Sequence, residues 1–463
     1  MKKISFLLFI SLFHLSLFGQ EKYWILNEDA IKIPDLDSAI VCSDWLHACS
    51  YELTPTALHS IIEQSIYPSK VRHFNLNGTS GEIPTLGFSL EQVEGEVFIE
   101  QDLDGTGVKV GIIDGGFLNA NKSDMLEDIF ANESVKFYKD YITPEMEPYT
   151  GSRSLDDGHG TEVWQQIAGY KKKKDIQFGL AQGAAFYLAR TDHGGFEKRQ
   201  EEDLLIQALE DMHKMGVKLV NISLGYTEDY TNSSENYTPD QIDGKSTMIT
   251  KAVEIAAVEK GMLIVVSAGN EGGNHWKTLS APGDAQHALT VGSSKYKIWD
   301  KMNYSSMGPE TLDYVKPDIT VYSTLGTSFA APIATGMAAC IWQYDSSLSN
   351  LEIINYFQKA GNFYPYGNNY VGYGTPTCSR LWQLMNNEEV DTPKTITTSR
   401  NQTTIKEEFE VRSIVIYHKK GKHTVQERIY LKPSKDKIKI KRPDGISQSS
   451  VLIGKKIVEI IWK

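Results

Sequence analysis

The chain has 463 residues, of which 41% are hydrophobic and 23% charged. That composition is globular: it excludes a fibrous or intrinsically disordered chain and suits two or three domains with a sizeable core. The formal charge of −12, from 47 basic and 59 acidic residues, argues against nucleic-acid binding by the chain as a whole, because a phosphate backbone is met by a basic face. The charge is also unevenly spread. Residues 391–463 hold 17 Lys and Arg against 8 Asp and Glu, and with Lys2 and Lys3 set apart the stretch 21–390 carries −23. A split of that size predicts separate domains.

The first residues read as an address. Lys2 and Lys3 form a positive start, Ile4 to Phe18 an apolar run, and Gly19 a small residue at a cleavage position, so residues 1–20 are predicted to be a secretory signal peptide. No later segment is long enough to cross a bilayer, so no transmembrane segment is expected once the signal is removed. A secreted or cell-envelope location places Cys42, Cys49, Cys340 and Cys378 in an oxidising context with three possible pairings, of which Cys42–Cys49 closes the shortest loop. Cys340, inside the apolar helical run Ala338 to Trp342, reads as a free buried thiol. None of the four has metal-ligand spacing.

Residues 21–85 read as a small α+β unit. Tyr23, Trp24 and Ile25 and the stretch from Val71 to Leu76 have strand character, and Thr54-Pro55 caps a helix through Leu58, Ile61 and Ile62. From residue 86 to 387 short apolar runs alternate with amphipathic stretches. Val108 to Ile113, Lys218 to Ser223 and Met262 to Ser267 are buried-strand candidates, with helices predicted over Leu204 to Met215 and Ile249 to Lys260. Such alternation implies βαβ units and an α/β fold, a doubly wound and mostly parallel sheet with helices on both faces. Lys171 to Lys174 reads as a solvated loop. A polar linker spans 388–400, and residues 401–463 read as a small β-rich C-terminal domain, with strands at Val411 to Tyr417, Arg428 to Leu431 and Lys437 to Lys441.

Four short motifs in the α/β segment carry chemistry. Asp114, at the end of a buried strand and followed by Gly115-Gly116, places a carboxylate where such sheets put their sites. His159 lies between Gly158 and Gly160 at the start of a helical run, with space around its imidazole. Ser328, in Gly326-Thr-Ser-Phe-Ala-Ala-Pro332, stands at a helix N-terminus whose amides and dipole favour a developing oxyanion. Asn270, in Ser267-Ala-Gly-Asn-Glu-Gly272, offers a side-chain amide of the kind an oxyanion hole uses. A nucleotide-binding protein is excluded by the lack of a glycine-rich phosphate loop between strand and helix.

Together with Asn221-Ile-Ser-Leu-Gly225, these motifs resemble the subtilases, the subtilisin-like serine peptidases, over roughly residues 87–385; the Asp, His, Ser order is that known for subtilisin. The resemblance implies peptide-bond hydrolysis through an acyl-enzyme. Ser328 would be the nucleophile, His159 the general base, Asp114 its orienting partner and Asn270 the oxyanion donor. Ser223, Leu224 and Gly225, with Ser267, Ala268 and Gly269, would flank a protein or peptide substrate bound as an added β-strand. No cofactor is required for that chemistry, and the structural calcium common in the family has no ligands locatable in this sequence. Residues 21–85 resemble a propeptide that inhibits the enzyme until cut away between about Asn77 and Gln101, and the tail faintly resembles C-terminal sorting domains. Three departures stand out: Gly115 where Thr or Ser is commoner, Glu162 three residues past His159, where it would raise the imidazole pKa, and a shortened loop around Val321-Tyr322 before Ser328. The alternative from another class is a catalytically inactive subtilase-fold binding or scaffolding protein.

Overall fold

The computed structural model describes residues 21–26, 41–43, 48–53 and 84–463, apart from 152–154, 196, 229, 232, 407–413 and 433–436. The chain divides into two compact units, 1–81 and 82–463. In the first, β1 (Glu21–Leu26), β2 (Val41–Ser43) and β3 (Ala48–Leu53) form an antiparallel sheet in the order β1-β3-β2 whose register sets Cys42 opposite Cys49. The expected signal peptide, the helix after Thr54 and the strand after Val71 lie outside the described residues.

The second unit is organised by a seven-stranded sheet. Its strands are β4 (Lys109–Asp114), β5 (Val135–Asp140), β6 (Ala185–Arg190), β7 (Leu219–Ile222), β8 (Leu263–Ser267), β9 (Leu289–Ser294) and β10 (Ile319–Tyr322). They lie in the order β10-β9-β8-β7-β4-β6-β5, every neighbouring pair parallel. Successive side chains of a strand point to opposite faces, and each face has its own apolar layer. Ile112, Leu219 and Leu263 pack with Val163, Trp164 and Ile333 of α1 (His159–Ala168) and α4 (Ala331–Tyr344). Ile113, Val220 and Ile264 pack with Leu205, Met212 and Val253 of α2 (Gln200–Lys214) and α3 (Met248–Val258). Burial on both sides is why these strands are continuous apolar runs rather than alternating ones. The doubly wound α/β architecture is therefore the one expected. Cys340 and Cys378 are buried free thiols.

The β-rich tail is built into the same unit. β11 (Lys394–Thr398), β13 (Ile414–Lys420), β14 (Thr424–Leu431), β16 (Gln448–Ile453) and β17 (Lys456–Trp462) form a sheet in the order β11-β17-β16-β13-β14, beside a ribbon of β12 (Gln402–Lys406) and β15 (Lys437–Lys441). One sheet face closes on the ribbon through Ile405, Ile438 and Ile440. The other packs Val415, Tyr417 and Leu452 against Phe363 and Val371. At that junction Asp300, fully buried, accepts from Tyr417 Oη at 2.6 Å and Tyr430 Oη at 2.7 Å and pairs with Lys295 at 2.7 Å and Arg428 at 3.2 Å. Among the described residues no helix is long and apolar enough to cross a membrane.

Candidate active site

The carboxyl ends of β4, β7 and β8 open on one side of the sheet, and the sequence motifs meet there. Asp114 closes β4 and is fully buried. Its Oδ1 accepts from the Gly115 amide at 2.8 Å and lies 2.6 Å from His159 Nδ1, while Oδ2 has no hydrogen-bond partner among the described residues. His159 is the first residue of α1. The next residue has to be glycine: a Cβ on Gly160 would fall 2.6 Å from the Gly116 carbonyl oxygen and 2.9 Å from Asp114 Cβ, so only its absence lets the helix start close onto the strand end. Burial pulls the His159 pKa down, but the Asp114 carboxylate outweighs it. With Glu162 and Asp192 adding to the field, the imidazole is raised to about 9. The Glu162 contribution is the one its position in the sequence predicts.

Ser328 lies in a single 3-10 turn, Thr327–Phe329, that leads into α4, with Pro332 in the helix's first turn where a missing amide costs nothing. Its hydroxyl donates to the Ser223 carbonyl at 3.2 Å, and Ser223 Oγ donates back to the Ser328 carbonyl at 2.9 Å. Among the described residues no hydrogen bond joins Ser328 to His159; the Phe329 ring lies 5.4 Å from the imidazole. Asn270 Oδ1 accepts from the Thr327 amide at 2.9 Å and from Thr327 Oγ1 at 3.2 Å, so the NH2 is the end of the amide left for another partner. His159, Ser328 and Asn270 line one cleft of about 290 Å³ together with Ser223, Leu224, Gly225, Ser267 and Gly269. Ala268 is fully buried and belongs to the apolar layer behind. The shortened loop before Ser328 has a structural cause: Val321 and Tyr322 end β10, so the serine turn follows directly from a strand of the sheet.

Other residues of the site carry no motif. Arg190, 3% exposed at the end of β6, donates through Nε to the Gly115 carbonyl at 2.9 Å and pairs with Asp140 and Asp157, each at 3.1 Å. It thereby ties the Asp114 strand end to the turn that carries His159. The one signal in the sequence was a charge ending the apolar run Phe186 to Ala189. Asp192, Glu197, Thr227, Tyr230, Glu271 and Ser280 also line the cleft. Asp192, Glu197 and Glu201 bring carboxylate oxygens within 4.8 Å of one another. Glu201, however, already accepts from the His193 amide and imidazole and the Lys198 amide. Its oxygens are satisfied by the chain's own donors, a poor fit to a calcium cage.

A parallel sheet carrying an acid–imidazole pair and a helix-borne serine at the carboxyl ends of its strands is the architecture of an α/β serine peptidase. The subtilase family model matches residues 105–374, and the chain belongs to that family. It is 26% identical over 281 residues to subtilisin BL of Lederbergia lenta, covering 59% of this chain and 90% of that protein. It is also 26% identical over 348 residues to serine protease AprX of Bacillus subtilis (strain 168), covering 66% and 72%. The fold matches the Clostridium perfringens CspB protease with a TM-score of 0.51 at 16% identity, over 65% of this chain and 99% of that one.

Proposed function

We propose that the protein is a secreted serine endopeptidase, made with a signal peptide and a propeptide, which hydrolyses peptide bonds through an acyl-enzyme on Ser328. The observation that carries this reading is the 2.6 Å contact of Asp114 with His159 Nδ1 in the cleft that also holds Ser328 and Asn270. Asp114 fixes the tautomer in which His159 Nε2 is the free base. The Ser328 hydroxyl turns from the Ser223 carbonyl toward that nitrogen, gives up its proton and attacks the substrate carbonyl; apo geometries of such pairs are commonly loose. The NH2 of Asn270 receives the oxyanion, and the protonated imidazole then returns its proton to the leaving amine.

The test is labelling of the purified secreted protein with a fluorophosphonate probe, followed by peptide mapping, with Ser328→Ala alongside. Label on Ser328 that is lost in the variant is expected. Absence of label in protein whose N-terminus shows the propeptide removed would favour the inactive binding or scaffolding alternative. The same N-terminal sequencing tests processing. Thr85–Leu86 already pair with Ile176–Gln177 inside the second unit, which favours a cut at the upstream end of the interval from Asn77 to Gln101. Fully active material starting at Gln20 or Glu21 would sink the propeptide idea.

A further inference from the structure

We propose that this cleft selects peptides with a lysine or arginine immediately N-terminal to the bond cleaved, read by Ser280 Oγ at the floor of a slot and by the carboxylates of Glu271, Glu197 and Asp192 around it. The inference rests on the peptidase reading above and adds its substrate class. Ser280 is 3% exposed, and its hydroxyl has no hydrogen-bond partner among the described residues. Its place is given by the glycines around it. A Cβ on Gly225 would fall 2.2 Å from that oxygen and one on Gly269 2.7 Å. The hydroxyl therefore lies between the ends of the two segments, 223–225 and 267–269, proposed to flank the substrate strand. A side chain at either glycine would collide with that hydroxyl, so only glycines let the two segments close on Ser280.

A slot with glycine walls and a hydroxyl floor suits a long, unbranched side chain that ends in a hydrogen-bond donor. A leucine or phenylalanine there leaves the Ser280 hydroxyl buried and unpaired, which such sites penalise. The charge of the lining decides between polar candidates: Asp192, Glu197 and Glu271 are acidic, and among the described residues no Lys or Arg lines the cleft. Asn274 holds Glu271 by its side-chain amide. An ammonium or guanidinium gains from these carboxylates, an acidic side chain is repelled, and the net −18 of residues 86–390, with 24 basic and 42 acidic residues, steers basic peptides in the same direction.

The test is a set of fluorogenic peptides identical except for Lys, Arg, Leu, Phe or Glu before the scissile bond, read as kcat/KM for the mature protein. The basic peptides are expected to be cleaved at least about tenfold faster than Leu or Phe, with the ratio falling as salt screens the carboxylates. Glu271→Gln and Ser280→Ala should each lower the Lys to Leu ratio by about threefold or more. Equal or faster cleavage of the Leu or Phe peptide by the wild type overturns the inference, as does a ratio unmoved in both variants. Fluorophosphonate labelling of the same preparation separates the two readings: labelled protein that prefers apolar peptides removes the selectivity alone, and protein that neither labels nor cleaves removes the peptidase reading with it.

Discussion

His159 is held between two opposed influences, burial that favours its neutral form and the Asp114 carboxylate that favours its cation, and the second prevails. In the proposed mechanism His159 must be neutral to act as the base, so a pKa of about 9 predicts kcat/KM climbing about tenfold per pH unit up to that point and levelling above it. A pH-rate profile checks this, and Glu162→Gln should move the inflection down by a fraction of a pH unit. Stability runs the other way. Because the folded pKa is raised above the ordinary 6.5, the pairing stabilises fully below about 6.5 and is lost as pH rises through about 9, so thermal midpoints should fall over the range in which activity rises. Arg190 makes a second prediction. Its replacement by alanine leaves Asp140 and Asp157 buried without their cation, which should cost about 3–5 kcal/mol in denaturant unfolding.

At the scale of elements, α1 depends on one missing methyl group. Gly160→Ala forces a Cβ against the Gly116 carbonyl and Asp114, which should cost about 1–3 kcal/mol of stability by overpacking and reduce kcat through a displaced His159; unfolding midpoints and kcat measured on one preparation check both. The segment that follows Gly225 is held on α2 in a way that no pattern announces: Tyr230 and Tyr237 donate to the buried Glu202, which also pairs with Arg199 at 2.7 Å. Helices α2 and α3 were legible because Leu205, Ala208, Leu209 and Met212 in the one and Ile249, Val253 and Ala256 in the other repeat at helical spacing on a face that meets the sheet. Four of the seven sheet strands, β5, β6, β9 and β10, were not. β5 is a half-exposed edge broken by Lys136 and Lys139. β9 buries Thr290 and Ser293; Thr290 Oγ1 donates to the Gly283 carbonyl and the Ser293 amide donates to Ser305 Oγ, so hydropathy misses a strand whose burial depends on partners in the neighbouring loops.

For the whole molecule, the charge split suggests a detachable tail, yet the tail shares a core with the second unit. Removing residues 391–463 would expose Val415, Tyr417 and Leu452's counterparts Phe363 and Val371 and strip Asp300 of Tyr417, Tyr430 and Arg428. The truncated protein is therefore expected to lose its cooperative unfolding transition and become sensitive to added protease, whatever happens to its export; a soluble truncation with an unchanged thermal midpoint would contradict this. The sequence by itself determined the α/β class, the subtilase motifs and their order, because each is written in a few adjacent residues: a strand that ends in Asp, a glycine-flanked His, a serine before a helix of small residues. Only the tertiary structure decided that Arg190 braces Asp114 and His159, that Ser280 lies between Gly225 and Gly269 in an acid-lined cleft, and that the tail is part of the core. Those contacts join residues far apart in the chain, and no local spacing records which loops meet at the carboxyl ends of a folded sheet.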